Sequence, residues 1–279
     1  HLLLYKPKYA IITNIHYDHV DCYKNIDEII EVFQEFTNHT KEKVVACGDD
    51  QNIRQIKSDK MFYYGFNDNN DIIAKNLDLK SDGSSFDVYI NNDFYGHFNL
   101  HIYGKHMILD ALACIGICYL NNIEKDDIIK YLNDFGGAKR RFQETKINNV
   151  VLVDDYAHHP NEVRTVLETA RQKYPDKTLV AVLIPYTISR TASFYKEFAD
   201  VLSLADKAFV TDIEPARENP EDYPGITSDL IINNCKNAEK ISSETINKLY
   251  KYDNAVIPFM GCKDPTWLMD AYKEGLKWI

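Results

Sequence analysis

Several sequence features that mark common protein classes are missing from this chain of 279 residues. No apolar run approaches the ~18 residues of a membrane span and no signal peptide is visible, so we expect no contact with a membrane. Basic residues are in the minority, with 32 Lys and Arg against 42 Asp and Glu, which argues against a nucleic-acid partner. The six cysteines form no Cys-x-x-Cys pair, a pattern typical of reduced thiols in a cytoplasmic protein.

Two glycine motifs that bind nucleotides are also missing. No G-x-G-x-x-G segment occurs, so the sequence does not support a dinucleotide-binding fingerprint. No G-x-x-x-x-G-K-[ST] phosphate loop occurs either, because Gly104-Lys105 is followed by His106 and belongs to a different motif. Without such a loop, the β- and γ-phosphates of a nucleotide have no backbone cradle within these 279 residues.

The pattern of apolar residues predicts two α/β domains, at 1–143 and 144–279, with the boundary in the stretch 143–149. In the second domain, strand-like runs alternate with helical segments, which predicts a parallel, doubly wound, Rossmann-like sheet. The predicted strands are 150–153, 179–184, 207–212, 239–241 and 255–260, and the predicted helices are near 161–173, 193–204, 228–235, 243–250 and 265–278.

The first domain has a less regular pattern. A buried parallel strand at 9–13 precedes short alternating runs, two of which are joined by Asn91-Asn92-Asp93, a hairpin signal. We therefore expect antiparallel strands attached to a parallel sheet. The other predicted strands are 44–47, 71–79, 86–90 and 94–100, and the predicted helices are 25–38, 104–120 and 124–135.

The densest polar cluster is the string Asp-Asp-Tyr-Ala-His-His-Pro at 154–160, directly after the predicted strand 150–153. In open α/β sheets, ligands bind outside the carboxyl ends of the strands, so this position favours chemistry. The alternative interpretation is a helix cap, because Pro160 suits the first position of a helix. A cap needs one or two polar residues, whereas this string has five.

Four further polar segments lie after predicted strands or after a glycine pair. The segment 13–21, with His16 and His19, is either a divalent-cation site or a solvated polar loop. The adjacent arginines of 139–142 are either a phosphate clamp or surface charges that close a helix. The segment 189–191 is either an anion-binding turn or a helix cap, and 212–218 is either part of a site or a charged loop. Parallel strands would place the loops that follow them along one edge, which favours a binding site.

Together these segments resemble the Mur ligases, most closely their alanine-adding branch. The resemblance implies an enzyme of three domains, of which this chain would hold the back of the central ATP-binding domain and the whole C-terminal Rossmann-like domain. The N-terminal domain and the front of the central domain would then lie outside the chain. The resemblance rests on Thr13-Asn14-Ile15 with Asp18-His19, Gly104-Lys105-His106, Lys139-Arg140-Arg141-Phe142, 154–160, Ser189-Arg190-Thr191 and 212–218, in the family's order.

The resemblance also implies a reaction, which is the ATP-dependent ligation of L-alanine to UDP-N-acetylmuramate through an acyl phosphate, in peptidoglycan precursor synthesis. ATP and Mg²⁺ would be the cofactors, and UDP-N-acetylmuramate and L-alanine the partners. The implied metal ligand is His19, the implied nucleotide-binding residues are His106, Asp110, Arg141, Asp155 and Tyr156, and the implied catalytic residues, facing the muramoyl substrate and alanine, are His158 and Arg190.

Some positions depart from the family pattern, among them His16, Met107, Asp110 and Tyr186. Because the phosphate loop is missing, we expect the 279-residue chain alone to be inactive. Two alternatives stay open, which are a murein peptide ligase of the recycling type and a stand-alone, non-catalytic binding module. A third is a different α/β nucleotide enzyme with a metal at His16 and His19.

Overall fold

The chain divides into two compact units, His1–Gly136 and Gly137–Ile279, in a computed structural model that describes residues 2–18 and 22–276. Each unit is built around a six-stranded sheet with helices packed on it. The predicted α/β fold class is thus confirmed. In the described part of the chain, no helix has the length and apolar character needed to cross a membrane.

The first unit combines parallel and antiparallel strands in one sheet. Its strands lie in the order β1-β2-β3-β4-β5-β6, with parallel pairing from β1 to β4 and antiparallel pairing from β4 to β6. This arrangement is the one predicted from the alternating runs. The elements are β1 (Tyr9–Ile12), α1 (Ile26–His39), β2 (Lys43–Cys47), β3 (Met61–Gly65), β4 (Ile72–Lys80), β5 (Gly83–Ile90), β6 (Asp93–Leu100), α2 (Lys105–Leu120) and α3 (Lys125–Asp134).

In this sheet, local sequence signals predicted the β5–β6 turn but not strand β3. The β5–β6 turn was predicted, and both Asn91 (φ 51°) and Asn92 (φ 71°) adopt the left-handed conformation that a two-residue hairpin turn of type I′ requires. Strand β3 was not predicted, because Met-Phe-Tyr-Tyr-Gly is short and lacks alternation. It forms because β2 and β4 offer backbone partners on both sides.

The second unit is a doubly wound sheet with strand order β11-β10-β9-β12-β8-β7, parallel except for the pair β7–β8. Alternate residues of a strand face opposite layers of helices. The elements are β7 (Gln143–Ile147), β8 (Val150–Asp155), α4 (Pro160–Lys173), β9 (Thr178–Leu183), α5 (Ile188–Leu202), β10 (Lys207–Val210), α6 (Asp229–Asn234), β11 (Ala238–Lys240), β12 (Ala255–Met260) and α7 (Thr266–Leu276).

Strand β8 shows how the two layers are built. Val151 and Val153 belong to the buried cluster that includes residues of α4 and α5. Val150 and Leu152 belong to a second buried cluster, which includes residues of α7 and of the 3₁₀ helix Ser243–Leu249. A continuous apolar run is therefore buried on both faces, as expected for a central parallel strand.

Three elements of the second unit differ from the prediction. The stretch 143–149, predicted as a boundary, contains the edge strand β7, which pairs with β8 in antiparallel register. Helix α5 begins five residues before the predicted start at 193, with its first amides bonded to the carboxylate of Glu218, and it is kinked at Phe194 (φ −125°), beside that predicted start. The segment predicted as a helix at 243–250 is a 3₁₀ helix, with tighter turns than an α-helix.

The side chain of Tyr64 generates a stability prediction. It is fully buried at the end of β3, and its hydroxyl has no hydrogen-bond partner among the described residues. Because an unsatisfied buried hydroxyl is destabilising, Tyr64→Phe should raise the free energy of unfolding by about 1 kcal/mol. Urea denaturation measures this change.

Tyr17→Phe in the same unit is the matched control. The Tyr17 hydroxyl lies 3.2 Å from the carbonyl oxygens of both Tyr23 and Lys24, so its removal should lower the free energy of unfolding. A loss of stability in Tyr64→Phe equal to that of Tyr17→Phe would contradict the prediction.

Candidate functional site

The carboxyl ends of four parallel strands form one continuous edge in the second unit. Because β12 lies between β8 and β9, and β10 lies beyond β9, the loops that follow these strands are neighbours. Three of the polar segments singled out in the sequence, at 154–160, 189–191 and 212–218, start at this edge. The loop after β12, at 261–264, lies between them and was not predicted as part of a site.

Asp155 holds the turn that leaves β8. The residue is only 5% exposed, and its two side-chain oxygens accept hydrogen bonds from the backbone amides of Phe142 and Ala157, both at 2.8 Å. Burial raises the pKa of this carboxyl above its usual value, although the two amides act in the opposite direction. Asp155 thus connects the segment before β7 to the loop after β8, and its contact with a nucleotide stays a prediction.

Adjacent Arg140 and Arg141 have different surroundings. The Arg140 guanidinium donates to the carbonyl oxygens of Gly261 (3.0 Å), Cys262 (3.2 Å) and Lys263 (3.2 Å). It also pairs with Asp154, whose Oδ1 lies 3.2 Å from Nε. The exposed Arg141 has its guanidinium 5.7 Å from the centre of the Tyr156 ring. Arg140 therefore holds the loops together, whereas Arg141 faces solvent beside an aromatic ring.

Tyr156 lies at the centre of this group. Its hydroxyl oxygen is 2.7 Å from the Sγ atom of Cys262, which donates the hydrogen bond, and its ring contacts both guanidinium groups. The neighbouring Cys262 thiol, together with partial burial, raises the pKa of the phenol. Cys262 is not among the site residues predicted from the sequence, and its contact with Tyr156 is what marks it.

His158 has a tautomer that can be inferred from its contacts. Its Nδ1 lies 2.9 Å from the carbonyl oxygen of Tyr156, and because a carbonyl only accepts, Nδ1 carries the proton. In the neutral ring, Nε2 then holds a lone pair. The backbone amide of His158 donates to Glu162 at 2.9 Å, and the ring packs edge-on to that of Tyr156 at 5.2 Å. His158 is thus oriented with a proton acceptor at Nε2.

The neighbouring His159 has a capping role. Its Nδ1 accepts from the amide of Asn161 at 3.3 Å, its own amide donates to Glu162, and its ring packs against Phe194 at 5.1 Å. It is the N-cap residue of α4, with Pro160 at the first helical position. The cap interpretation of the string 154–160 therefore fits His159, but it does not account for Tyr156 and His158.

Arg190 lies in the first turn of α5. The residue is 7% exposed, and its Nη1 donates to the carbonyl oxygen of Tyr186 at 3.2 Å. The helix start is held by Glu218, whose carboxylate accepts from the backbone of Ile188 and from Ser189. The segments 189–191 and 212–218 are thus in direct contact, as their shared edge predicted.

A small cavity of about 160 Å³ opens at the same edge, beyond the ends of β9 to β12. Lys263 pairs with Glu214 across it. Both signs of charge, two hydroxyl groups and an indole are present in its wall. The lining residues are Ile184, Thr211, Asp212, Ile213, Glu214, Ile241, Ser242, Lys263 and Trp267.

In the first unit, the loops after β1 and β2 are joined by Asp50. Its carboxylate accepts from the amide of Ile15 at 2.9 Å, and the side-chain amide of Asn52 donates to the Ile15 carbonyl at 2.7 Å. These bonds hold the start of the segment 13–21. His19, the predicted metal ligand in that segment, lies outside the described residues.

Two other predicted nucleotide contacts lie on α2 of the first unit. His106, which is partly buried, and Asp110, which is exposed, are four residues apart and so share one face of the helix. Over residues 2–18 and 22–276, no three His, Cys, Asp or Glu side chains come together in a way that could hold a metal ion.

Residues 2–118 match the family profile described as Mur ligase middle domain, and residues 140–257 match the one described as Mur ligase, glutamate ligase domain. The chain belongs to the Mur ligase family. Members of this family are ATP-dependent ligases that form amide bonds. The two matches occur in the order expected from the resemblance seen in the sequence.

Solved structures of Mur ligases have the same fold. UDP-N-acetylmuramate-alanine ligase MurC from Thermotoga maritima has a TM-score of 0.77 at 24% identity, over 99% of this chain and 61% of that chain. MurF ligase from Thermotoga maritima, in complex with ADP, has a TM-score of 0.76 at 17% identity, over 98% of this chain and 63% of that chain. A murein peptide ligase from Psychrobacter arcticus 273-4 has a TM-score of 0.67 at 18% identity, over 100% of this chain and 59% of that chain. The chain thus spans less than two thirds of these relatives, and at such identities the similarity establishes the fold.

The two adjacent arginines of this Mur ligase chain should differ in their effect on stability. Arg140→Met leaves Asp154 and three carbonyl oxygens without their donor, so we expect a loss of about 3 kcal/mol in the free energy of unfolding. Arg141→Met removes an exposed charge, and the expected change is within about 0.5 kcal/mol. Chemical denaturation of both variants measures the difference, and equal losses would show that the contacts of Arg140 do not stabilise the edge.

Proposed function

We propose that this chain is part of a ligase that joins L-alanine to UDP-N-acetylmuramate with hydrolysis of ATP, in peptidoglycan precursor synthesis. The observation that carries the proposal is the arrangement around Tyr156. An exposed guanidinium, that of Arg141, lies 5.7 Å from one aromatic ring, and the oriented imidazole of His158 lies 5.2 Å from the same ring. A cation for phosphate and a proton acceptor are thus close together.

The proposed reaction has two steps that this edge can support. The γ-phosphoryl group of ATP is transferred to the muramoyl carboxylate, and the amine of alanine then attacks the acyl carbon while phosphate leaves. Both steps gather negative charge, so positioned cations assist them. Before the attack, the ammonium group of alanine must lose a proton, and Nε2 of His158 is the acceptor that we assign to it.

Three groups of the second unit are assigned to the nucleotide. Arg141 would bind its phosphates, and Tyr156 would offer its ring and hydroxyl. Both side-chain oxygens of Asp155 accept backbone hydrogen bonds. Asp155 would therefore act on the nucleotide indirectly, by holding the turn that leaves β8. His106 and Asp110 of α2 are assigned to the nucleotide on the family resemblance, and Asp110 is supported by its exposure.

The cavity beside Lys263 supports an amino acid as the second substrate. An α-amino acid carries an ammonium and a carboxylate, and the wall has both signs of charge, with Lys263 paired to Glu214 and Asp212 paired to Lys240. His19 is the only residue that we propose as a ligand of Mg²⁺. Because no three His, Cys, Asp or Glu side chains of the described residues come together to hold a metal ion, we derive no step through the metal.

Two alternative functions have their own support. A murein peptide ligase is favoured by the similarity to the Psychrobacter arcticus enzyme, which extends over 100% of this chain. A non-catalytic binding module is favoured by the missing phosphate loop. Phosphate-release assays with L-alanine and with a murein tripeptide as acceptors separate the first alternative from the proposal.

Phosphate release in the presence of UDP-N-acetylmuramate, L-alanine, ATP and Mg²⁺ tests the reaction. We expect none from the 279-residue chain alone, because it has no phosphate loop. We expect alanine-dependent release from a protein that carries this chain behind such a loop, encoded in the same reading frame. Phosphate release by the 279-residue chain would show that the phosphate loop is not required. Absence of alanine-dependent phosphate release by the longer protein would contradict the ligase proposal.

In the longer protein, His158→Gln should lower kcat by about 10²-fold or more, because the proton acceptor is lost. The matched control is His97→Gln, which removes an exposed imidazole that pairs with Asp87 in the antiparallel strands of the first unit. Steady-state kinetics of both variants are compared at saturating ATP. Equal activity of the two variants would show that His158 is not the acceptor.

For Arg190, the informative change is Arg190→Lys, because Arg190 is buried and its truncation would disturb folding. Lysine keeps the charge but not the planar fork, so we expect kcat/KM to fall by about 10-fold or more. Arg171→Lys, at an exposed ion pair with Asp206, is the control. If Arg190→Lys had the same kcat/KM as this control, the substrate role of Arg190 would be contradicted.

A further inference from the structure

Helix α5 begins in an unusual way. Its N-cap residue, Thr187, has φ 67° and ψ 140°, a backbone conformation that residues other than glycine rarely adopt. The Thr187 side chain makes no capping hydrogen bond. The first amides of a helix have no partner within it, so they need an acceptor from elsewhere.

Glu218, thirty residues further along the chain, supplies that acceptor. Its Oε2 accepts from the amides of Ile188 and Ser189, the latter at 3.1 Å, and its Oε1 accepts from the Ser189 hydroxyl. A carboxylate at this position also interacts favourably with the positive end of the helix dipole. One side chain thus satisfies three donors of the first turn.

The loop that carries Glu218 is itself bound to the segment before α5. The amide of Thr187 donates to the carbonyl of Glu214 at 2.9 Å, and the amide of Glu214 donates to the carbonyl of Pro185 at 2.8 Å. The amide of Glu218 donates to Pro215 at 2.9 Å, which closes the turn at the end of this loop. The carboxylate is therefore presented to α5 by a loop that is hydrogen-bonded to the segment before the helix.

Arg190 lies in the same helical turn as the two capped amides. Its Nη1 is bonded to the carbonyl of Tyr186, just before the strained Thr187, so the direction of its side chain depends on how the helix begins. A shift of the first turn would move the guanidinium with it. The amides of Ile188 and Ser189 are bonded to Glu218 and so do not bind a substrate anion. An anion at this helix end would instead be bound by the Arg190 side chain.

We propose that Glu218 is a positioning residue, whose carboxylate holds the first turn of α5 so that Arg190 faces the substrate. The catalytic consequence rests on the proposed ligase function, but the effect on Arg190 does not. The test therefore has one arm that needs no activity and one that does.

In the first arm, the side-chain Nε–Hε resonance of Arg190 and the amide hydrogen exchange of Ile188 and Ser189 are measured by NMR in the 279-residue chain. Glu218→Ala should shift the Arg190 resonance and speed exchange of both amides by about 10-fold or more, because their acceptor is lost. Glu218→Gln keeps one acceptor oxygen and should show a smaller effect. The control is Glu221→Ala, at an exposed position in the same loop region. An unchanged Arg190 resonance in Glu218→Ala would overturn the proposal.

In the second arm, alanine-dependent phosphate release is measured in the longer protein. Glu218→Ala should lower kcat by about 10²-fold, as misplacement of a positioned group does, with KM for ATP nearly unchanged and partial recovery in Glu218→Gln. Wild-type kcat in Glu218→Ala would overturn the positioning role. A shifted Arg190 resonance together with an inactive wild-type protein would instead reject the ligase function and leave the effect of Glu218 on Arg190 established.

Discussion

The insertion of β12 between β8 and β9 is the constraint on which the candidate site depends. Gly261, the first residue after β12, donates its amide to the carbonyl of Asp155 at 3.0 Å. A Cβ atom at this position would lie 2.8 Å from the Cβ of Ile184 and 2.9 Å from its carbonyl oxygen, so a larger residue would push the two loops apart. This close approach brings Cys262 to Tyr156 and Lys263 to Glu214.

Much of the polar character at this edge serves to hold backbone. Asp155 binds two amides, Glu162 binds those of His158 and His159, and Glu218 binds the start of α5. Such carboxylates satisfy the donors of turns and helix ends, which have no partner within their own element. The side chains that we propose for the chemistry, foremost His158 and Arg190, are those that these bonds orient. In this way a loop-rich edge can keep the defined geometry that catalysis requires.

The Mur ligase fold by itself does not specify which amino acid is joined to which acceptor. Ligases named for different activities, such as MurC and a murein peptide ligase, have TM-scores of 0.77 and 0.67 with the same chain. Specificity therefore does not follow from the fold alone. In this chain, we propose that it depends on the wall of the small cavity and on the segments 189–191 and 212–218.

Much of this protein could be predicted from local sequence patterns. The alternation of apolar runs predicted the doubly wound sheet, the Asn91-Asn92 pair predicted the hairpin, and the string 154–160 marked the strand end where polar residues collect. Each of these signals lies within a few residues, and backbone preference and apolar periodicity act over that distance. The same patterns missed β3 and β7, which are strands because their neighbours pair with them.

The roles of individual side chains were decided only by the tertiary structure. Adjacent Arg140 and Arg141 are equivalent in the sequence, yet one is bonded to carbonyls more than a hundred residues away and the other is exposed. His158 and His159 likewise separate into an oriented imidazole and a helix cap. The physical reason is that hydrogen-bond partners such as Cys262 for Tyr156, 106 residues apart, meet only when the order of strands in the sheet brings their loops together.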